Sequence, residues 1–211
     1  MVRVMHAIVV QMADQEAWEA LGRLGEEQAG YFTTAQAERV GIHRNTLRDQ
    51  ARAGGRAERA GRGIYRLRFY PRSPFEHIAA AWVQAGPDLA TVSHESALEL
   101  YGLADVAPSE VHLTLPRAYR HRRAPSGVRL HLPRVPLGEN EIRRVGSVRA
   151  TSPERTLLDV LESGTQPEQV ELALRQALER ALTTRERLRV AADARSKTAR
   201  SRLERLLAVA A

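Results

Sequence analysis

Residues 33–67 read TTAQAERVGIHRNTLRDQARAGGRAERAGRGIYRL. Thr33 or Thr34 offers a hydroxyl N-cap for a helix ending near Val40, and Gly41 supplies a turn. A further helix is expected from about Arg44 to Ala53, stopped by Gly54-Gly55. Arg56–Arg59 and Ile64–Arg68 then read as two short strands around Ala60-Gly-Arg-Gly63. Working outward, residues from about Asp14 to Ala29 form a preceding helix, with Asp14 as its cap and Trp18, Leu21 and Leu24 spaced to face inward. Three helices followed by a tight hairpin are the order of a winged helix-turn-helix, and a glycine in the turn between its second and third helices is the expected signature.

Charge sharpens that reading. The 34 residues from Arg39 to Arg72 carry ten arginines against Asp49 and Glu58, a charge of +8 where the whole 211-residue chain has +7. On the third helix Arg44, Arg48 and Arg52 follow one another at intervals of four, along one drifting stripe. Leu47 and Ala51 form the apolar edge that must pack on the other helices. Arg and Asn are the side chains that pair with guanine and adenine edges, and residues near the amino end of such a helix reach deepest into the groove. Asn45, Thr46 and Arg48 are therefore the expected base contacts, with Arg44 and Arg52 on phosphates. Arg59, Arg62 and Arg66, with Arg68 beside them, put further charge on the wing, where a two-glycine turn can approach the backbone. Asp49 departs from an ideal phosphate-facing surface; it could orient Arg48 or Arg52, or accept from a cytosine amino group.

Beyond Pro71-Arg-Ser-Pro74, a natural linker, the chain changes character. Pro74–Ala85 is expected as a helix, and Thr91-Val-Ser-His94 leads into another running through Tyr101. VHLTL from Val111 and VRLHL from Val128 alternate as strands, with Ser147–Ala150 as a third. Thr151-Ser-Pro-Glu154 opens a helix with a hydroxyl cap, proline in the first turn and an acid. Residues 167–182 and 184–209 read as two more helices. The fold class is α+β: residues 1–12 are expected as a disordered leader (Met5 and Met12 offer alternative starts), 13–70 as the winged helix, and 71–211 as a larger mixed α/β domain with a helical C-terminus. A second basic patch, Arg117, Arg120, Arg122 and Arg123 around Tyr119, lies in the loop between the first two strands of that domain. It could extend a nucleic-acid footprint, bind an acidic partner, or be a solvated loop.

Several functions are excluded or weakened. Without cysteine the chain has no disulfide, thiolate metal site or cysteine nucleophile. Lys197 is its one lysine, so the acid…acid-x-lysine core of a metal nuclease is missing. Gly146-Ser147 is followed by no carboxylate until Glu154, unlike a nucleotidyltransferase. No HExxH-like spacing appears among the histidines; His112 and His131 would meet if their strands pair, a structural arrangement. The reading is a non-enzyme with no metal and no cofactor, lacking membrane anchor and secretion signal, and hence cytoplasmic.

The run from Gly30 to Leu67 resembles the N-terminal winged helix of the AbiEi family, the antitoxins of abortive-infection toxin–antitoxin systems. TVSHESALELYGL, VHLTLP, GVRLH and TSPERTLLDVL resemble that family's C-terminal antitoxin domain in the same order; together the likeness covers about residues 15–200. The resemblance implies a phage-defence antitoxin that binds inverted repeats in its own promoter, represses the operon by autoregulation, and neutralises a nucleotidyltransferase-like toxin through the second domain. It leaves open direct toxin contact and oligomeric state, including a monomer that binds DNA cooperatively. The alternative is a stand-alone winged-helix regulator whose second domain senses a ligand or protein.

Overall fold

A computed structural model describes residues 2–52 and 54–209. The chain forms two compact units: residues 1–87 with 146–148, and residues 88–145 with 149–211.

The first unit begins with α1 (Val2–Glu27). This helix runs through the stretch expected as a leader. No glycine or proline interrupts the sequence before Gly22, so nothing breaks it, and Asp14 lies within the helix instead of capping it. β1 (Tyr31–Thr33), α2 (Thr34–Arg39), α3 (Arg44–Gln50), β2 (Ala57–Gly61) and β3 (Ile64–Leu67) follow. Thr33 is the cap of α2: its hydroxyl accepts from the Gln36 amide at 3.1 Å while the Gln36 side chain accepts from the Thr33 amide at 2.8 Å. The sheet runs β1-β3-β2, antiparallel throughout. Trp18, Leu21, Phe32, Ala37, Ile42, Leu47 and Tyr65 form its core.

α3 is shorter than expected, ending at Gln50. The chain folds straight back against its last turn, where a β-carbon at Gly55 would overlap the Gln50 carbonyl. The Gln50 side chain holds that return by accepting from the Arg56 amide at 3.1 Å. A further helix, α4 (Glu76–Ala85), packs on β1 and β3. The first unit therefore continues to Pro87, past the linker expected at Pro71.

The second unit holds β4 (Thr91–Val92), α5 (His94–Tyr101), β5 (Val111–Thr114), β6 (Val128–His131), β7 (Ile142–Val145), β8 (Val148–Thr151), then α6 (Pro153–Ser163), α7 (Pro167–Glu179), α8 (Arg185–Arg195) and α9 (Lys197–Val209). Its five strands lie in the order β6-β5-β4-β8-β7. β5 and β6 do pair, in parallel, with His112 opposite Arg129 and Thr114 opposite His131. β7 was not expected: as an edge strand reading IRRV, it has only its two terminal residues apolar. The single helix expected over 184–209 is two. Ser196 is extended, and its hydroxyl accepts from the Ala199 amide at 3.0 Å, so a cap sits where sequence periodicity ran on. Leu98, Leu157, Leu158, Leu174, Leu188 and Leu203 anchor the core shared by these helices.

Candidate nucleic-acid interface

In the first unit Leu47 is wholly buried and Ala51 packs partly against the same core, which sets the rotation of α3. The opposite side is left to solvent. Arg44, Asn45 and Arg48 are exposed on α3, while Thr46 is half-buried. His43 caps the helix, its Nδ1 accepting from the Asn45 amide at a long 3.4 Å. Arg52 is exposed, but it follows the Ala51 C-cap and so leaves the helical stripe. Two of these cations have weak neighbours. Arg44 lies 3.3 Å from Glu38, and Arg52 lies 3.5 Å from Asp49. Such exposed pairs are worth well under about 1 kcal/mol and are readily exchanged for a phosphate.

The wing carries Arg59 on β2 and Arg62 in the turn, both exposed. Gly63 in that turn has φ +74°, a conformation most side chains avoid. Arg59 Nε donates to the Gly61 carbonyl at 3.3 Å, drawing this side chain along the hairpin.

Arg66 requires a correction. It is 2% exposed, with Glu58 at 3.2 Å and Glu76 at 3.3 Å. It also donates to the carbonyls of Leu67, Tyr70 and Pro71 at 3.2, 2.6 and 3.0 Å. β3 is the central strand and α4 covers it, so Arg66 is a brace within the unit and has no surface to offer DNA. Arg68 is likewise engaged, donating to the carbonyls of Gly55, Arg52 and Ala57 and tying the wing to the chain beyond α3.

Two cations not singled out by spacing also lie on this unit's surface. Arg39 is exposed at the end of α2. Arg56 sits 5.4 Å from the centre of the Trp18 ring, a cation–π position. Their signal in the sequence was only membership of the basic run.

In the second unit Arg117, Arg120, Arg122 and Arg123 are all exposed, in and after a 3-10 turn at Arg117–Tyr119. Other arginines there point inward. Asp159, 2% exposed, receives Arg155 Nε at 2.9 Å and Arg195 at 2.7 Å, while Arg155 also holds Glu141 at 2.8 Å. Glu154 accepts from the Thr183 hydroxyl at 2.8 Å. The TSPERTLLDVL segment is thus a helix start whose Glu, Arg and Asp all have interior partners.

A family model described as transcriptional regulator, AbiEi antitoxin, matches residues 23–68, and one described as AbiEi antitoxin C-terminal domain matches residues 90–209. The chain belongs to the AbiEi antitoxin family. The regulator match takes in α2, α3 and the wing, and the AbiEi C-terminal match runs from the start of β4 to the end of α9. No curated protein sequence matches this AbiEi chain. Among solved structures it is similar to the RV2827C protein from Mycobacterium tuberculosis, with a TM-score of 0.56 and 16% identity over 93% of this chain and 77% of that one. At that identity the likeness speaks for the fold alone. Among the described residues no helix is long and apolar enough to cross a membrane.

Proposed function

We propose that this AbiEi protein binds inverted repeats in its own promoter through α3 and the wing, represses its operon, and neutralises a nucleotidyltransferase-like toxin through its second unit. It acts in the cytoplasm, without catalysing a reaction. The observation that carries the DNA-binding half is the pairing of two exposed cationic elements, Arg44–Arg48 on α3 and Arg59–Arg62 on the wing, on one unit in the order that enters a groove and flanks it. Asn45 and Arg48 read base edges in this scheme, and Arg44, Arg52, Arg59 and Arg62 neutralise phosphates. The antitoxin half is supported by the family match over residues 90–209.

Separating the two halves tests both. The full chain carrying Asn45→Ala and Arg48→Ala together should fail to shift the upstream DNA in a gel. It should still restore growth when co-expressed with the neighbouring toxin gene. Loss of rescue along with DNA binding would move the antitoxin role to repression alone; an undiminished gel shift would remove α3 from the interface.

A further inference from the structure

His94, His112 and His131 are far apart in sequence and come from three elements: the start of α5, the middle of β5 and the end of β6. The fold brings them together. The His94 and His131 rings are stacked with centroids 3.5 Å apart, and His112 lies 5.8 Å from the first and 5.1 Å from the second. One ring nitrogen from each falls within 4.8 Å of the other two. His94 and His112 are buried and His131 is half-buried.

The arrangement leaves hydrogen-bonding capacity unused. His112 Nδ1 and His131 Nε2 are buried without any partner, a state that native interiors rarely keep. His94 Nδ1 is 2.9 Å from the Ser93 hydroxyl, which also accepts from Thr114 at 2.8 Å. That contact orients the ring and leaves Nε2 as its remaining nitrogen, the relation in which an outer hydroxyl fixes a metal-ligating imidazole. His94 is also held at φ +53°, in the left-handed region. Backbone strain of this kind persists where the surroundings impose it, and it gathers at ligand-holding positions.

We propose that His94, His112 and His131 bind a divalent transition-metal ion, Zn2+ foremost. Three imidazoles with no carboxylate among them suit Zn2+ and its neighbours in the series and disfavour Ca2+ or Mg2+. Burial holds all three rings below the usual histidine range, His94 and His131 at about 3. Tetrahedral ligation at about 2.1 Å sets ligand nitrogens about 3.4 Å apart, inside the 4.8 Å within which these three lie, so binding would draw any wider pair together. Two stacked planes cannot both contain the ion. His131, half-buried at the end of the edge strand, is the ring that would have to turn for both to reach one ion. Three protein ligands leave a fourth position for water or an added group. His112 and His131 flank the loop bearing Arg117, Arg120, Arg122 and Arg123, so the ion would clamp the base of that loop.

The test uses untagged full-length protein and Co2+, whose visible absorption reports tetrahedral nitrogen ligation. One equivalent should bind per chain with intense bands that Zn2+ abolishes, and Zn2+ should raise the melting temperature. His112→Gln should weaken binding about a hundredfold or more, because losing a ligand costs at least as much as losing an outer-shell partner. His131→Asn, at the sheet edge, should do the same if the buried variant fails to fold. His121→Gln, a surface histidine on the loop, should change nothing. Wild-type protein that binds no Co2+ stoichiometrically, or that binds it equally well without His131, overturns the proposal.

Discussion

The surface of α3 and the wing and the interior around α6 are both rich in arginine, yet the same guanidinium does different work in each. Around α3 Arg44, Arg48, Arg59 and Arg62 stand in water, held at most by exchangeable neighbours. Around α6 Arg155 and Arg195 converge on one buried carboxylate, Asp159. Water decides the outcome. A solvated cation spends little on its neighbours and remains available to a phosphate, whereas a desolvated one is worth keeping only when it is fully paired. The wing contains both regimes four residues apart, Arg62 at the tip and Arg66 at the base.

The contrast is most severely tested at Asp159. Asp159→Ala leaves Arg155 and Arg195 without their shared partner and should cost about 3–5 kcal/mol in chemical unfolding of the second unit. A cost below about 1 kcal/mol would mean that water already serves these guanidiniums, and the distinction would collapse. Arg66→Met should destabilise the first unit by about 3 kcal/mol, at the lower end of that range, because Arg72 still holds Glu58 at 2.9 Å and Glu76 at 3.0 Å. Its thermal midpoint should fall while the salt dependence of DNA binding by the folded protein stays unchanged. A shallower salt slope in that variant would return Arg66 to the interface. Arg48→Ala or Asn45→Ala should leave stability intact and weaken operator binding by about 1–3 kcal/mol, concentrated at particular base pairs in a mutated-operator series. Arg62→Ala should have the smallest effect, a sequence-independent loss that lowers the slope of log K against log salt by about one.

Much of the first unit was legible because its signals are local. A threonine followed by glutamine three residues later caps α2, glycines set the turns, and Leu47 fixes which side of α3 is buried. Boundaries failed where a local signal was absent or overruled. Asp14 reads as a cap but has helix-forming residues on both sides. Ser196 interrupts a helical period with no glycine or proline to announce it, and β7 is too short and too charged to alternate. The histidine cluster was legible only in part, for a different reason: His112 and His131 were expected to meet if their strands paired, but His94 was not expected beside them. Metal motifs are recognised by spacing on one element, and here the spacing is made by a parallel strand pair and a helix start.

By itself, then, the sequence determined that this chain carries a winged helix with a concentrated positive charge, that it has no thiol and a single lysine, and that it resembles AbiEi antitoxins. Those conclusions rest on residue type and short-range order. Only the tertiary structure decided which arginines are available. Strand alternation places Arg66 on the face opposite Tyr65, but solvent reaches that face unless another element covers it, and α4 does. Long-range packing likewise gathers three histidines separated by many residues into one group. Burial is a property of what packs on a residue, and for Arg66, Asp159 and His112 the covering elements come from elsewhere in the chain.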